Sequence, residues 1–232
     1  MAKSKRRKKV DVAALDTAVV DRAIRKIMKG LQWEVTISEV GTKCDIESDE
    51  LKKCHHIRLP KHDPYKGLST LHELCHANLA ETVHPLFGAF IFASDSKKEL
   101  VIASSSALQM AGDWFVDELE HSHAPGPYKK ELAADFGMVP EILKLQQIDL
   151  RALCSTALLI AQSRRYLSFT IEVEGFLAEL IHALEETDPS LPTIENLMKL
   201  ANRLLQVLHE KLGQLIQVEC VIDGDINSVK FI

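Results

Sequence analysis

The sequence predicts an α+β fold that is predominantly helical, with a small sheet near the N-terminus. Two observations lead to this prediction. Apolar residues recur every three or four positions through 10–30, 97–122 and most of 130–212, which is the period of an amphipathic helix. Segment 33–40 is instead rich in β-branched residues that roughly alternate with polar ones, and 55–60 predicts a second short strand that a proline ends.

The elements between the first strand and the second long helix follow in order. The polar segment 44–54 is expected to connect the two strands. The next segment, 61–67, contains Pro, Gly and Asp and predicts a loop. A helix then starts at Ser69 or Thr70 and runs to about Val83; Thr70 also has capping-box spacing to a glutamate three residues later.

The chain divides into three parts by composition and pattern. Residues 1–9 form a basic tail, 10–128 a core region, and 129–232 a helical region expected to pack on that core. A turn at 123–128 separates the last two parts. The chain ends in a predicted β-hairpin around Asp223–Gly224, a turn sequence between two apolar runs.

The overall composition is that of an ordinary globular protein. Of the 232 residues, 46% are hydrophobic and 26% are charged, and the net charge is -5. Nucleic acid is therefore not expected as the main partner. Residues 3–9, KSKRRKK, carry six positive charges in seven positions, which is typical of a solvated tail. A weak nucleic-acid or partner-binding arm is the alternative.

The sequence also bears on the expected compartment. No run reaches the roughly 18 apolar residues of a membrane span, and no apolar segment of a signal peptide follows the basic start. The five cysteines are scattered and odd in number, so we expect reduced thiols in a cytoplasmic protein without a membrane partner. A metal pair of Cys44 and Cys54 with His55 and His56 is a weak alternative, since no CxxC spacing supports it.

The motif that carries chemistry is HELCH, which starts at His72. Four residues turn a helix through about 400°, so His72 and His76 leave the same face one turn apart. Two imidazole nitrogens can then bind one Zn²⁺, and Glu73 can reach a metal-bound water as general base. The bland alternative is a helix whose two histidines are satisfied by the core.

A catalytic zinc needs a third protein ligand, and the helix at 97–122 offers one. Asp113 and Asp117 are four residues apart and share a face, so one can bind the metal while the other holds the far nitrogen of a ligand histidine. His84 is instead expected at the surface or at a helix cap. Asp113 is the preferred ligand, and the alternatives from the same stretch are Asp117, Glu118, Glu120, His121 and His123.

Over about residues 33–122, the segments HHIRLP, STLHELCHA and MAGDWFVDEL resemble the zincin-type metallopeptidases. In particular, the chain is similar to compact intracellular peptidase-like proteins of phages, mobile elements and bacterial genomes. The resemblance implies a zincin-like core: a small sheet with an edge strand at the cleft, the HExxH helix beneath it, and a second helix that brings an acidic ligand.

The resemblance also implies a role for each site residue. It makes His72 and His76 zinc ligands, Glu73 the general base, and Asp113 the third ligand with Asp117 behind it. Two positions depart from the pattern of many relatives: glutamine stands one turn before the expected third ligand, and cysteine stands where glycine often precedes the second histidine.

The expected function is therefore a zinc-dependent peptidase, with a catalytically inactive, zinc-bearing interaction or regulatory module as the alternative. The nearest oxyanion donors by sequence are His121, His123 and Tyr128. Glu118, like Asp117, is instead an alternative metal ligand or a carboxylate that supports a ligand histidine. The strand at 55–60 is expected to bind an extended peptide at its edge, which makes the partner a protein or peptide substrate. Apolar stripes in 130–212 are expected to form core, or alternatively a homo-oligomer interface.

Overall fold

The computed structural model describes residues 12–40, 43–63, 65–145 and 148–232. The chain is a mixed α+β protein that is mostly helical, with 58% of its residues in helices and two small sheets. This confirms the predicted class. The basic tail at 1–9 lies outside the described residues.

The elements agree with the predicted order, and two are added in the first half. The first half contains α1 (Val12–Gly30), β1 (Glu34–Glu39), β2 (Asp45–Asp49), β3 (Cys54–Leu59), α2 (Lys66–Thr82), a 3₁₀ turn (Pro85–Phe87) and α3 (Lys98–His123). The second half contains α4 (Pro125–Phe136), α5 (Val139–Ile142), α6 (Leu150–Leu167), α7 (Gly175–Glu185), α8 (Ile194–Val207), α9 (His209–Leu212), β4 (Val218–Asp223) and β5 (Ile226–Phe231).

The N-terminal sheet corrects two predictions. Its strand order is β1-β3-β2, with β1 parallel and β2 antiparallel to β3. The segment 44–54 is thus not a mere connection, because Asp45–Asp49 pairs with residues 54–58 of β3. The strand at 55–60 is not an edge either, because β3 has a neighbour on both sides. Partners on β3 stabilise the polar strand β2: Arg58 Nε lies 2.7 Å from an Asp45 carboxylate oxygen.

The start of α2 also differs from the prediction. The helix begins at Lys66, one turn earlier than expected, after an N-cap residue without a side-chain cap bond. Thr70 therefore lies inside the helix, where its hydroxyl donates a 2.7 Å hydrogen bond to the carbonyl of Lys66. The capping-box use of Glu73 is excluded by this geometry. The predicted turn at 123–128 is only one residue long, since α4 starts at Pro125, a favourable first position for proline.

The main hydrophobic core of the described residues runs from Val20 to Val229, and a small second cluster contains Tyr128, Leu132 and Tyr166. Helix α2 lies at its centre, where it packs against α1, α3, β2 and β3. Helix α3 in turn packs against α4, α6 and α8, so the C-terminal helices complete the same core as the N-terminal sheet. The indole of Trp114 on α3 is buried and donates a 2.9 Å hydrogen bond to the Thr187 carbonyl beyond α7.

The C-terminal hairpin is confirmed. Asp223 pairs with Ile226, and Gly224 in the turn between them has a φ of 64°, where glycine is favoured. Val229 of β5 forms a parallel bridge to Phe92, which fixes the hairpin to the segment before α3.

The structure also bears on the cysteines and on membrane-spanning segments. All five cysteines are free. Cys44 and Cys54 lie at opposite ends of the β2–β3 pair, because Asp45 pairs with Arg58 whereas Asp49 pairs with Cys54, so the two thiols do not form a metal pair. Among the described residues, no helix has the length and apolarity to cross a membrane.

Candidate metal centre

Two imidazoles and one carboxylate converge where α2 faces α3. The rings of His72 and His76 leave the same face of α2, with centroids 5.0 Å apart. From α3, one carboxylate oxygen of Asp113 lies 3.3 Å from His76 Nε2 and 4.0 Å from His72 Nε2. One ligand atom from each of these three residues lies within 4.8 Å of the other two.

These distances match the size of a zinc site. Ligand atoms bound at about 2.0–2.1 Å to one tetrahedral zinc are about 3.3 Å apart, which follows from the bond lengths and the tetrahedral angle. The contact between Asp113 and His76 has this length, and the contact between Asp113 and His72 exceeds it by less than 1 Å. Two nitrogens and one carboxylate oxygen are also a usual catalytic zinc set, since they leave the fourth position to water.

The far nitrogens of both histidines are held by hydrogen-bond acceptors. His72 Nδ1 lies 3.0 Å from Glu120 and 3.3 Å from Asp117, both on α3. His76 Nδ1 lies 2.6 Å from the carbonyl oxygen of Phe87 in the 3₁₀ turn. Because ionised carboxylates and carbonyls only accept, each Nδ1 carries a proton, and Nε2 is the nitrogen that each ring offers to a metal. Burial lowers the pKa of His72, but the carboxylates of Asp117 and Glu120 raise it well above its ordinary value, so a metal would displace a proton from Nε2.

The carboxylates behind His72 are deeply buried. Asp117 and Glu120 are 6% and 3% exposed. Burial raises the pKa of Asp117 to about 6, although its contact with His72 opposes this shift. The side-chain amide of Gln162, on α6, donates a hydrogen bond to the other oxygen of Asp117. Asp117 is thus fixed between α6 and the imidazole that it orients.

Glu73, next to the first histidine, is 5% exposed and borders both pockets described below. Its neighbour there is Cys44, the residue directly before β2. Burial raises the pKa of the Cys44 thiol, and the nearby charge of Glu73 raises it further. The thiol therefore keeps its proton at neutral pH, and it stands beside a carboxylate that faces the space in front of the histidines.

Two pockets meet at His72 and Glu73. The apolar pocket, of about 300 Å³, lies on the side of His72 where His76 and Asp113 converge. It is lined by Cys44, Asp45, Ile46, His72, Glu73, His76, Leu86, Phe87, Gly88, Ala89, Phe90, Phe92, Ser105, Leu108, Gln109 and Asp113. The acidic pocket, of about 210 Å³, is lined on the other side by Cys44, Leu68, Ser69, His72, Glu73, Asp117, Glu120, Tyr128, Glu131, Leu132, Asp135, Leu159 and Gln162.

Several predicted site residues lie elsewhere. Glu118 faces away from the histidines and accepts hydrogen bonds from Arg165 and Tyr166, at 2.9 and 2.8 Å. His121 stacks on the ring of Tyr166 at 4.4 Å, and its buried Nε2 has no hydrogen-bond partner within the described chain. Burial, together with Lys26 of α1, lowers the pKa of His123, so that imidazole faces α1.

Three other predicted residues have definite places. Tyr128, also suggested as an oxyanion donor, lines the acidic pocket. Gln109 lines the apolar pocket, one turn before Asp113, but it is Asp113 that reaches the histidine nitrogens. His84 caps the 3₁₀ turn by accepting from the backbone N–H of Leu86, as expected.

Sequence reasoning missed some of the partners in this site. It considered Glu120 only as a metal ligand, although Glu120 follows Asp117 by three residues and Asp113 by seven, which is one helix face. That spacing distinguishes it from Glu118. No local signal marks Gln162 or the Phe87 carbonyl, because each arrives from a separate element through the packing of the core.

Comparisons with models of known protein families, with curated proteins and with solved structures found no match to this chain.

Proposed function

We propose that this protein is a zinc-dependent peptidase with a zincin-like core. The observation that carries the proposal is the convergence of two Nε2 atoms and one carboxylate oxygen, on His72, His76 and Asp113, at zinc-ligand spacing. The acceptors on both Nδ1 atoms support it independently, because a histidine pair that served only the core would not need both rings aimed at one point.

The proposed reaction is hydrolysis of a peptide bond. Bound zinc would lower the pKa of a water molecule towards about 7 and polarise the substrate carbonyl. Glu73 borders the space in front of the histidines, where its carboxylate can take a proton from the attacking water and deliver it to the leaving amine. Asp117 and Glu120 hold the ring of His72 in place, and the loop carbonyl of Phe87 does the same for the second ring.

An extended peptide is the substrate that the sheet supports best. Strand β2, rather than β3, is an edge of the sheet, and its residues Asp45 and Ile46 line the apolar pocket beside the histidines. The free backbone groups of such an edge can pair with a peptide in extended conformation. The role first expected of β3 is therefore proposed for β2.

The decisive experiment measures metal content and turnover on matched variants. Wild-type protein loaded with zinc and desalted should retain one ion per chain, and His72→Ala and Asp113→Asn should lose it. Glu73→Gln should keep the zinc but lower turnover of an unfolded protein by at least about a hundredfold, since it removes the general base. Glu118→Gln is the control, because Glu118 lies on α3 but faces away, and it should keep both zinc and activity.

The outcomes separate the two functions that the sequence left open. Wild-type protein without stoichiometric zinc would exclude the metal centre and the peptidase together. Stoichiometric zinc without cleavage of any member of a broad peptide library would instead leave the non-catalytic, zinc-bearing module.

A further inference from the structure

The acidic pocket has more carboxylates than the metal centre uses. Asp117 and Glu120 both contact His72, but the side chains of Glu131 and Asp135 form no hydrogen bond or ion pair within the described part of the chain. No lysine or arginine is among the described residues that line the pocket. His72 is the one basic side chain among the described residues that line the pocket, and it contacts Asp117 and Glu120, so Glu131 and Asp135 are left without a basic partner there.

Helix α4 supplies the outer wall of the pocket. Glu131 and Asp135 are four residues apart, so their carboxylates lie on one face and repel each other. Glu131 is half-buried; burial, then the charges of Glu120 and Asp135, raises its pKa to about 8. The carboxyl of Glu131 therefore holds its proton at neutral pH, and a cation entering the pocket would favour its ionised form.

A second, independent feature marks the pocket as a binding site. Tyr128 is 5% exposed and lines the pocket, and its hydroxyl has no hydrogen-bond partner within the described chain. Its ring is fixed by edge contacts with His121 and Tyr166, at 5.6 and 5.4 Å. The hydroxyl is therefore free to bond a ligand group that enters the pocket. Because carboxylates surround it, this hydroxyl suits a positive group rather than a developing oxyanion.

The shape of the pocket narrows the class of cation. Leu68, Leu132 and Leu159 line its walls, in addition to the carboxylates. An aliphatic stem that ends in a charged group, as in lysine or arginine, would cover these leucines and place its charge among the acids. A bare metal ion would leave them without contact. His72, Asp117 and Glu120 also offer ligand atoms within 4.8 Å of one another, but Glu131 and Asp135 do not belong to this group.

We propose that the acidic pocket binds the side chain of a lysine or arginine in the peptide substrate, at a residue adjoining the scissile bond. This inference rests on the proposed peptidase function, because the pocket shares His72 and Glu73 with the metal centre. It makes the enzyme selective for a basic residue on one side of the bond. Glu131, Asp135 and the Tyr128 hydroxyl would accept hydrogen bonds from the ammonium or guanidinium group.

The test compares quenched fluorescent peptides that carry lysine, norleucine or glutamate at each position around the cleaved bond. Norleucine keeps an aliphatic stem and removes the charge. At one position, kcat/KM of the zinc-loaded protein should be at least about tenfold higher for lysine than for norleucine, since charge-assisted hydrogen bonds in a partly buried site have this effect. Glu131→Gln and Asp135→Asn should each reduce that ratio. Exposed Glu179 on α7 provides the control, and Glu179→Gln should leave the ratio unchanged.

A charge reversal gives a second, positive readout. The double variant Glu131→Lys and Asp135→Lys should turn the preference from lysine to glutamate at the same position. Cleavage that depends on Glu73 but shows no lysine preference at any position would overturn the pocket assignment and leave the peptidase proposal intact.

Binding decides the matter if no peptide is cleaved. Fluorescence anisotropy with the same labelled peptides should give a dissociation constant at least about tenfold lower for lysine than for norleucine, and Glu131→Gln should reduce the difference. Equal constants would overturn the proposal. Two zinc ions per wild-type chain, one of them lost in Glu131→Gln, would also overturn it in favour of a second metal site.

Discussion

Replacing Gly88 by alanine should disturb the metal centre from outside it. A Cβ at this position would lie 2.3 Å from the Oγ of Ser48, 2.8 Å from the Cβ of Ser48 and 2.8 Å from the Cβ of Ala80. Real Cβ atoms do not approach other atoms this closely, so the backbone must move. The serine hydroxyl cannot rotate away without a loss, because it is hydrogen-bonded to His55 Nδ1 at 2.7 Å.

The expected magnitude follows from the two packed neighbours. Forcing an extra methyl group into a filled site costs about 1–3 kcal/mol. For a protein of this size, a loss of 1 kcal/mol lowers Tm by about 2–4 °C, so the variant should melt several degrees lower. The displaced backbone is next to Phe87, whose carbonyl holds His76 Nδ1. Losing such a partner typically weakens metal affinity by about 10–100-fold.

Two measurements check this prediction: the melting temperature of the metal-free protein, and zinc affinity by competition with a chromophoric chelator. Gly126→Ala is the matched control, because nothing lies within 4 Å of its added Cβ and α4 should tolerate it. If Gly88→Ala kept the wild-type Tm and zinc affinity, the close approach of β2 to the 3₁₀ turn would not be a constraint on the site.

Two further predictions concern the carboxylates around His72. Asp117→Asn and Glu120→Gln should each weaken zinc binding by about 10–100-fold without abolishing it, since they orient a ligand rather than bind the metal; chelator competition measures this, and wild-type affinity in both would contradict the assigned contacts. Glu131→Gln should raise Tm at pH 9 and leave it unchanged below pH 4. The folded-state pKa of Glu131, about 8, lies above its ordinary value, so the native state loses stability as pH rises towards 8. A variant that gained its stability at acidic pH instead would show that this sign is wrong.

The histidine pair was predictable because its geometry depends on local spacing alone. Residues four apart on a helix share a face whatever surrounds them, and this places His72 beside His76. The same rule predicted that Asp113 and Asp117 share a face of α3. Their division of labour, with Asp113 at the Nε2 atoms and Asp117 at an Nδ1 atom, depends instead on how α3 lies against α2.

The sheet and the acidic pocket depend on contacts between distant parts of the chain. Strand β2 contains mostly acidic and polar residues, which have low strand propensity, and its pairing with β3 decides its conformation. The carboxyl groups of Glu131 and Asp135 reach the site only because a single residue separates the end of α3 from the start of α4. The pattern within a single segment cannot predict either the pairing of β2 with β3 or the position of α4 beside the site.

The two roles proposed for β2, binding substrate and supporting the metal centre, are connected through one buried polar network. Ser48 on β2 contacts His55 on β3, and His55 Nε2 lies 3.2 Å from Glu81 on α2. A serine, a histidine and a carboxylate in this order have the composition of a nucleophilic triad. Ser48, however, is 5% exposed and borders neither pocket at the metal centre.

The partners of this network indicate a structural role instead. Burial lowers the pKa of His55, so its imidazole is neutral and can accept from Ser48 while donating to Glu81. Glu81 also accepts the backbone N–H groups of Gln32 and Trp33, at 2.6 and 3.0 Å, which fixes the start of β1 to the HExxH helix. Since every polar group of this network has a hydrogen-bond partner, the network can fix the position of the sheet relative to α2. The same side chains therefore keep the edge of β2 in register with the face of α2 that carries His72 and His76.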